Sequence, residues 1–304
     1  MTTSTPPLPQ AILQTLAYAD IFDYPLTAPE IHRYLIGVRA TLEGVHDTLA
    51  NGLHSSRVIA QNGEYFTLPG RAGLAETRAR RAAQSVRLWP HALHYGRVLA
   101  DFPFVRMVAL TGALAVENVE DGADVDYFIV TEPGRLWLCR ALIIGLVRVA
   151  ARRGIIICPN FFLAENTLEL PDRNLYIARE VVQMIPLSGM DIYQRIRQAN
   201  PWVNELLPNA SGPPPRQISI SHPRPKPAKQ AMETLLRSRL GAGLERWEMN
   251  RKIRKFTTHF PTTAETRFSP DHCQGHFDGY GKKTMESFQA RMDGLEFLEV
   301  HGNS

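Results

Sequence analysis

The sequence predicts an α/β chain of the α+β kind: a mixed sheet with covering helices, preceded by a small helical module and followed by a helical segment. Residues 8–70 read as three short helices closed by a β-hairpin, and residues 107–131 read as two apolar strands around a helix-capable stretch. Prolines crowd between Ser211 and Pro227, where they forbid helix and disfavour a central strand. The expected division is therefore 8–70, 71–210, a linker at 211–227 and a helical part at 228–300. With 304 residues, 44% hydrophobic and 21% charged, the chain can build a core, which excludes wholesale disorder. Lys and Arg number 34 against 30 Asp and Glu, and the resulting +4 implies no nucleic-acid partner unless the cations cluster.

The first module opens with helical periodicity from Ala11 to Tyr18. Thr27-Ala28-Pro29-Glu30 is a capping box with proline just inside the helix start, followed by Ile31, Tyr34 and Leu35 on one face. A third helix runs through Leu42, Val45, Leu49 and Leu53, and Asn62-Gly63 then stands between two apolar runs as a hairpin turn. Three helices and a hairpin in this order make a winged helix, whose third helix commonly enters a DNA groove. Here that helix carries Glu43, His46, Asp47, Asn51 and His54, with Arg57 only at its end, so the cations that a phosphate-dominated contact needs are missing. A protein-docking or structural role is favoured, with DNA contact left as the alternative. Residues 71–100 form a helix with Arg71, Arg78, Arg80, Arg81, Arg87 and Arg97. It is expected to show a basic surface, either a solvated face between two domains or a hold on a phosphate-bearing polymer.

The chemistry concentrates between Met107 and Thr131. An apolar strand ends at Thr111-Gly112, and a second begins at Asp124-Val125-Asp126-Tyr127. Residues two apart on a strand share a face, so Asp124 and Asp126 present their carboxylates together while Val125 points to the core. Such a pair repels itself without a cation, and hard oxygen ligands suit Mg²⁺ (or Mn²⁺) shared with substrate phosphates. Gly112 permits close backbone approach to a phosphate, and the amides that follow it are anion donors.

A small-residue pair after an apolar strand, ten residues, then Asp-hydrophobic-Asp-hydrophobic resembles the DNA polymerase β-type nucleotidyltransferase superfamily. The wider chain is similar to a prokaryotic group of nucleotidyltransferase-domain proteins through Pro133-Gly134-Arg135-Leu136-Trp137, Asn160-Phe161-Phe162-Leu163, Leu175 to Glu180, and Asn200-Pro201-Trp202-Val203 to Asn209. The superfamily likeness covers residues 108–130 and implies the nucleotidyltransferase sheet. It also implies Asp124 and Asp126 as catalytic metal ligands and Gly112 as the glycine of the nucleotide-binding turn. Ala113 replaces the second small residue of the motif and brings an N–H without a hydroxyl. Thr111, Gly112, Ala113 and Arg135 are the expected nucleotide contacts. A third acid is expected from a later strand, read as Cys158–Ala164. Asn160 is its best-placed polar residue, with Glu165 and Asp172 as alternatives.

The implied activity is metal-dependent transfer of a nucleoside monophosphate from an NTP to a hydroxyl on a nucleic-acid, protein or small-molecule acceptor. The alternative is a catalytically weak nucleotide-sensing or DNA-associated regulator on the same fold. Leu136–Ala151, interrupted by Arg140 and Arg148, reads as a core helix too short for a bilayer, and no membrane partner is expected. In the helix from Leu175 to Met184, Arg179 and Glu180 are expected to pair locally, with a nucleotide contact from Arg179 as the other option. Tyr176, Trp202 and Trp247 are expected as core or interface anchors. His272, Cys273, His276 and Asp278 fall short of a zinc site and read as a solvated or capping loop. Helical periodicity spans Ala228–Lys255 and Thr284–Leu298. Three scattered cysteines and an N-terminus without basic or apolar signal regions fit a cytoplasmic setting.

Overall fold

Caps and a tight turn shape the N-terminal module. The computed structural model describes residues 6–54, 57–212, 216, 218, 226–259, 266–275 and 279–301. Helix α1 (Leu8–Asp20) is followed by β1 (Leu26–Thr27), α2 (Ala28–Arg33) and α3 (Leu42–Asp47), which continues as a π-helical turn over Thr48–Leu53. The capping box forms as expected: Glu30 N donates to Thr27 Oγ1 at 3.4 Å, and Thr27 N donates to Glu30 Oε2 at 2.9 Å. Strands β2 (Ala60–Asn62) and β3 (Tyr65–Thr67) turn at Gly63, whose φ of +61° is the left-handed value that such a turn requires. With β1 they make a three-stranded antiparallel sheet in the order β1-β3-β2. Ile12, Leu16, Leu26, Ile31, Leu35, Val45 and Leu49 bury themselves between these elements.

Helix α4 (Leu74–Ala100) shows only part of the expected basic surface, and Arg71 precedes it. Arg78 donates to both Glu30 oxygens, at 2.8 and 2.6 Å, and lies 4.2 Å from the Tyr24 ring. Arg71 bonds Asp20 at 2.8 Å and also pairs with Asp23. Arg81 donates to Phe22 O at 2.9 Å and pairs with Glu120. Arg80, Arg87 and Arg97 stay exposed. Half of the cations thus fasten the module to the rest of the chain, since burying a guanidinium is costly and carboxylates and carbonyls that meet its N–H groups offset that cost.

The central layer follows as β4 (Val105–Leu110), α5 (Gly112–Ala115), β5 (Val125–Thr131), α6 (Leu136–Ala151), β6 (Ile157–Ala164), α7 (Leu175–Gln183), β7 (Ile185–Ser188), α8 (Met190–Ala199) and α9 (Trp202–Leu206). Beyond it come α10 (Pro227–Leu236), α11 (Arg239–His259), β8 (Thr266–Phe268), β9 (His272–Gly275) and α12 (Tyr280–His301). The mixed sheet has the order β7-β4-β5-β6-β9-β8. Its neighbours are antiparallel except β5 and β6, which α6 joins as a crossover. Alternation sorts the two faces: Val125, Tyr127 and Ile129 pack with Trp89, Leu99, Trp137 and Ile143, whereas Phe128 and Val130 pack with Ala178, Val182, Ile192 and Ile196. Among the described residues no helix is long and apolar enough to cross a membrane.

The C-terminal part is not wholly helical. Strands β8 and β9 extend the central sheet, with His272, Cys273 and Gln274 opposite Leu163, Phe162 and Phe161. A polar four-residue strand shows no apolar alternation, so only its pairing with β6 reveals it. His276 and Asp278 lie outside the described residues, as do 213–215, 217 and 219–225 of the expected linker. Two buried glutamates secure α10 and α11: Glu233 accepts from Phe104 N at 2.8 Å, and Glu245 accepts from Trp137 N at 2.9 Å and Leu138 N at 2.6 Å. Trp202 is buried, while Trp247 on α11 is 62% exposed, with the Arg251 guanidinium 5.2 Å from its ring. Arg78→Ala is expected to cost about 2–4 kcal/mol because it strands Glu30 in a partly buried site, whereas the exposed Arg87→Ala should stay within about 0.5 kcal/mol. Urea denaturation of the two variants checks this, and equal losses would refute the role of Arg78 in fastening the N-terminal module.

Candidate metal and ligand site

Strand register assembles the site from three separate stretches. The ladder between β4 and β5 closes with Thr111 N donating to Asp126 O at 3.1 Å, and the chain then turns at Gly112 with φ +65°. A Cβ on residue 112 would stand 2.2 Å from Asp126 Oδ2, so glycine is required both by the backbone angle and by the carboxylate beside it. Asp126 shares the face of Phe128 and faces the cavity, while Val125 is buried on the other side. On the parallel side, Asp126 is opposite Cys158 and Phe128 is opposite Phe161, so β6 uses one more residue than β5. Pro159, which has no N–H for the ladder, lies in that irregularity. Ligand atoms of Asp124, Asp126 and Cys158 all come within 4.8 Å of one another.

Burial and like charge set the electrostatics. The Asp126 carboxyl is pushed up to about 8, first by burial, then by Asp124 and Glu180. Glu180 on α7 keeps some surface within the cavity but is otherwise enclosed, and burial pushes it up to about 7 against the pull of Arg179. A divalent cation relieves such crowding. Two carboxylates fit Mg²⁺ or Mn²⁺, and the thiol of Cys158 adds a softer donor that widens the choice beyond an all-oxygen set.

Asp124, Asp126 and Glu180 border a cavity of about 570 Å³, and Cys158 stands behind the aspartates rather than in its lining. Thr111, Gly112 and Ala113 form its wall beside the aspartates. Tyr18, Phe22 and Tyr24 enter from the N-terminal module, and Tyr280 enters from the start of α12. Phe128 and Phe161 stack at 4.8 Å across β5 and β6 along the same wall. Tyr176, expected as an anchor, also lines the cavity.

Five predicted site residues therefore meet: Thr111, Gly112, Ala113, Asp124 and Asp126. Arg135 does not join them. It follows the far end of β5, about 17 Å along the strand from Asp126 at ~3.3 Å per residue, and its guanidinium lies 5.4 Å from the Phe104 ring. The first amides of α6, which follow Arg135, donate to Glu245: Trp137 N and Leu138 N are both taken by its carboxylate. Helix α5 is a single turn, too short to build an appreciable dipole for an anion. Of the third-acid candidates, Glu165 pairs with Arg195 at 2.5 Å away from the cavity. Asp172 lines the cavity but bonds Arg267 at 2.8 Å. The Asn160 side chain lies outside the described residues.

Cys158 and Glu180 are the residues that spacing did not reveal. Cys158 is 32 residues beyond Asp126 and reaches it only through the parallel pairing. Glu180 does not form the expected ion pair with Arg179, which lies instead over the rings of Tyr18 and Tyr34.

No protein-family model matches this chain, and no curated protein or solved structure matches it.

Gly112→Ala is expected to lower Mn²⁺ affinity at least about tenfold in calorimetry and to destabilise the fold, because its methyl displaces Asp126. Gly122→Ala, also at positive φ but with open space around it, isolates the backbone cost of about 1 kcal/mol and should bind Mn²⁺ normally. The pH dependence has a definite sign. Asp126 and Glu180 ionise near 3.8 and 4.5 when unfolded but near 8 and 7 when folded. The folded state thus holds protons that the unfolded state has lost, and metal-free stability falls as pH rises across that window. Asp126→Asn in EDTA should therefore gain several degrees of Tm over wild type at pH 8 and little at pH 4.5. An equal gain at both values would contradict the assignment.

Proposed function

We propose that this chain is a divalent-metal-dependent nucleotidyltransferase that moves a nucleoside monophosphate from an NTP to an acceptor hydroxyl. The supporting observation is the carboxylate pair of Asp124 and Asp126 at the head of β5, pressed against the positive-φ Gly112 and open to a cavity of ligand size. On this reading the N-terminal module is a winged helix and the central sheet is a nucleotidyltransferase sheet. Three helices followed by a hairpin support the first, and the strand-turn-strand that carries the aspartates supports the second.

Asp124 and Asp126 hold the cation with Cys158 beside them. Bound there, a divalent cation neutralises and orients the phosphoryl oxygens. The backbone of Thr111, Gly112 and Ala113 borders the phosphates, and Tyr18, Phe22 and Tyr24 line the side of the cavity that receives a base. The acceptor oxygen attacks the α-phosphorus, an O–P bond forms, and the bond to the bridging oxygen breaks with departure of pyrophosphate. Glu180, poised near neutrality and facing the same cavity, takes the hydroxyl proton in place of the third acid expected on β6. Catalysis is otherwise positioning and charge neutralisation.

Cys158 beside the pair, with no carboxylate there from the strand expected to supply the third acid, and Ala113, which lacks a hydroxyl, favour the second reading of a nucleotide-sensing regulator that binds without turnover. Incubation with each α-labelled NTP and Mg²⁺ or Mn²⁺, against nucleic-acid, protein and small-molecule acceptors, separates the two. Transfer should vanish in Asp124→Asn/Asp126→Asn and fall about 10²–10⁴-fold in Glu180→Gln with NTP affinity retained. Transfer that survives the double substitution would overturn the mechanism, and metal-dependent NTP binding without transfer would assign the regulator.

A further inference from the structure

Of the two arginines buried among the described residues, Arg81 is met by carbonyls and a carboxylate, whereas Arg179 leaves two donors unmet. It is 2% exposed on α7 and lines the cavity, yet its Nε and Nη1 are buried without a hydrogen-bond partner. Its guanidinium carbon lies 4.1 Å from the Tyr34 ring centroid and 4.9 Å from that of Tyr18. Ring faces attract the cation but take none of its N–H donors as a carbonyl or carboxylate would.

The surrounding acids leave it unmet. Glu30 is held by both forks of Arg78 and by Thr27. Glu180 follows Arg179 in sequence, and successive helical residues diverge by about 100°. No ion pair within 4.0 Å joins the two among the described residues. The nearby Arg33 uses its Nη2 on Val182 O at 3.1 Å and brings a second positive charge to the Tyr34 ring. A purely structural role would be served as well by an apolar chain of the same length, because a buried guanidinium with unmet donors is costly.

We propose that Arg179 is an oxyanion receptor at a second pole of the cavity, taking a phosphoryl or carboxylate group of a small ligand without the help of a metal. Its planar fork matches both groups bidentately, which a lysine does not. The tyrosine rings hold the fork in place before the ligand arrives, so little side-chain freedom is lost on binding. The ligand class that follows is a small molecule with an apolar or aromatic body, suited to Tyr18, Phe22 and Tyr24, and an oxyanion at one end. This inference stands independently of the proposed nucleotidyl transfer.

The test is done in EDTA at constant ionic strength, following Tm and calorimetric binding of inorganic pyrophosphate and of malonate. At least one of them should raise the Tm of the wild type saturably. Arg179→Lys should weaken that binding about tenfold, by loss of the bidentate contact, and Arg179→Met should abolish it while melting at or above the ligand-free wild type. A response to pyrophosphate alone assigns the phosphoryl group, and a response to malonate alone assigns the carboxylate. Response of the wild type to neither, or equal affinities in wild type and the lysine variant, would overturn the receptor. Asp124→Asn/Asp126→Asn should keep the anion response and lose Mn²⁺ binding, so failure of the metal site and failure of the anion site are read separately.

Discussion

Antiparallel β4 and parallel β6 hold β5 in a register that turns Asp124 and Asp126 to one face and Val125, Tyr127 and Ile129 to the other. A slip of one residue would put two carboxylates into the apolar layer against α6 and three large side chains into the cavity. Full burial of Val125, Tyr127 and Ile129 opposes that slip, and the Tyr127 hydroxyl, which donates to Ala92 O at 2.6 Å, ties the strand to α4. The same register sets Gly112 against Asp126 and Cys158 opposite it. The clustering of Asp124, Asp126 and Cys158 is thus a consequence of how the core packs.

The N-terminal module and the C-terminal helices complete what the sheet begins. Alone, the sheet would leave the aspartates on an open edge in water, where like charges repel weakly. Tyr18, Phe22 and Tyr24 cover one side and Tyr280 another, and this enclosure raises Asp126 and Glu180. The arginines of α4 hold the cover in place through Asp20, Asp23, Glu30 and Glu120. Arg71, Arg78 and Arg81 have carboxylate partners, and Arg179 has rings. That contrast separates cations that join parts of the chain from one that faces a cavity.

Several features were legible in the residues themselves. The Thr27–Glu30 box, the Asn62-Gly63 turn and the Leu136–Ala151 helix are local signals, and each forms where it was read. The adjacency of Asp124 and Asp126 follows from the two-residue period of a strand, and Gly112 from the need for positive φ. Arg135 was misplaced because closeness in sequence says nothing about which end of a strand a side chain reaches. The polar strand Thr266–Phe268 and its partner His272–Gly275 carry no periodic signature, so their place at the sheet edge was hidden.

Period and turn chemistry act over a few residues, and over that range the chain alone sets its helices, its hairpin and the shared face of its two aspartates. Cys158 beside Asp126, Glu180 across the cavity and the unmatched Arg179 depend on pairings between strands and helices far apart in sequence. Those pairings are decided by burial of whole faces, a property that no short stretch possesses. The choice between a solvated arginine and a buried one is made there too, because only the packed structure removes water from the guanidinium.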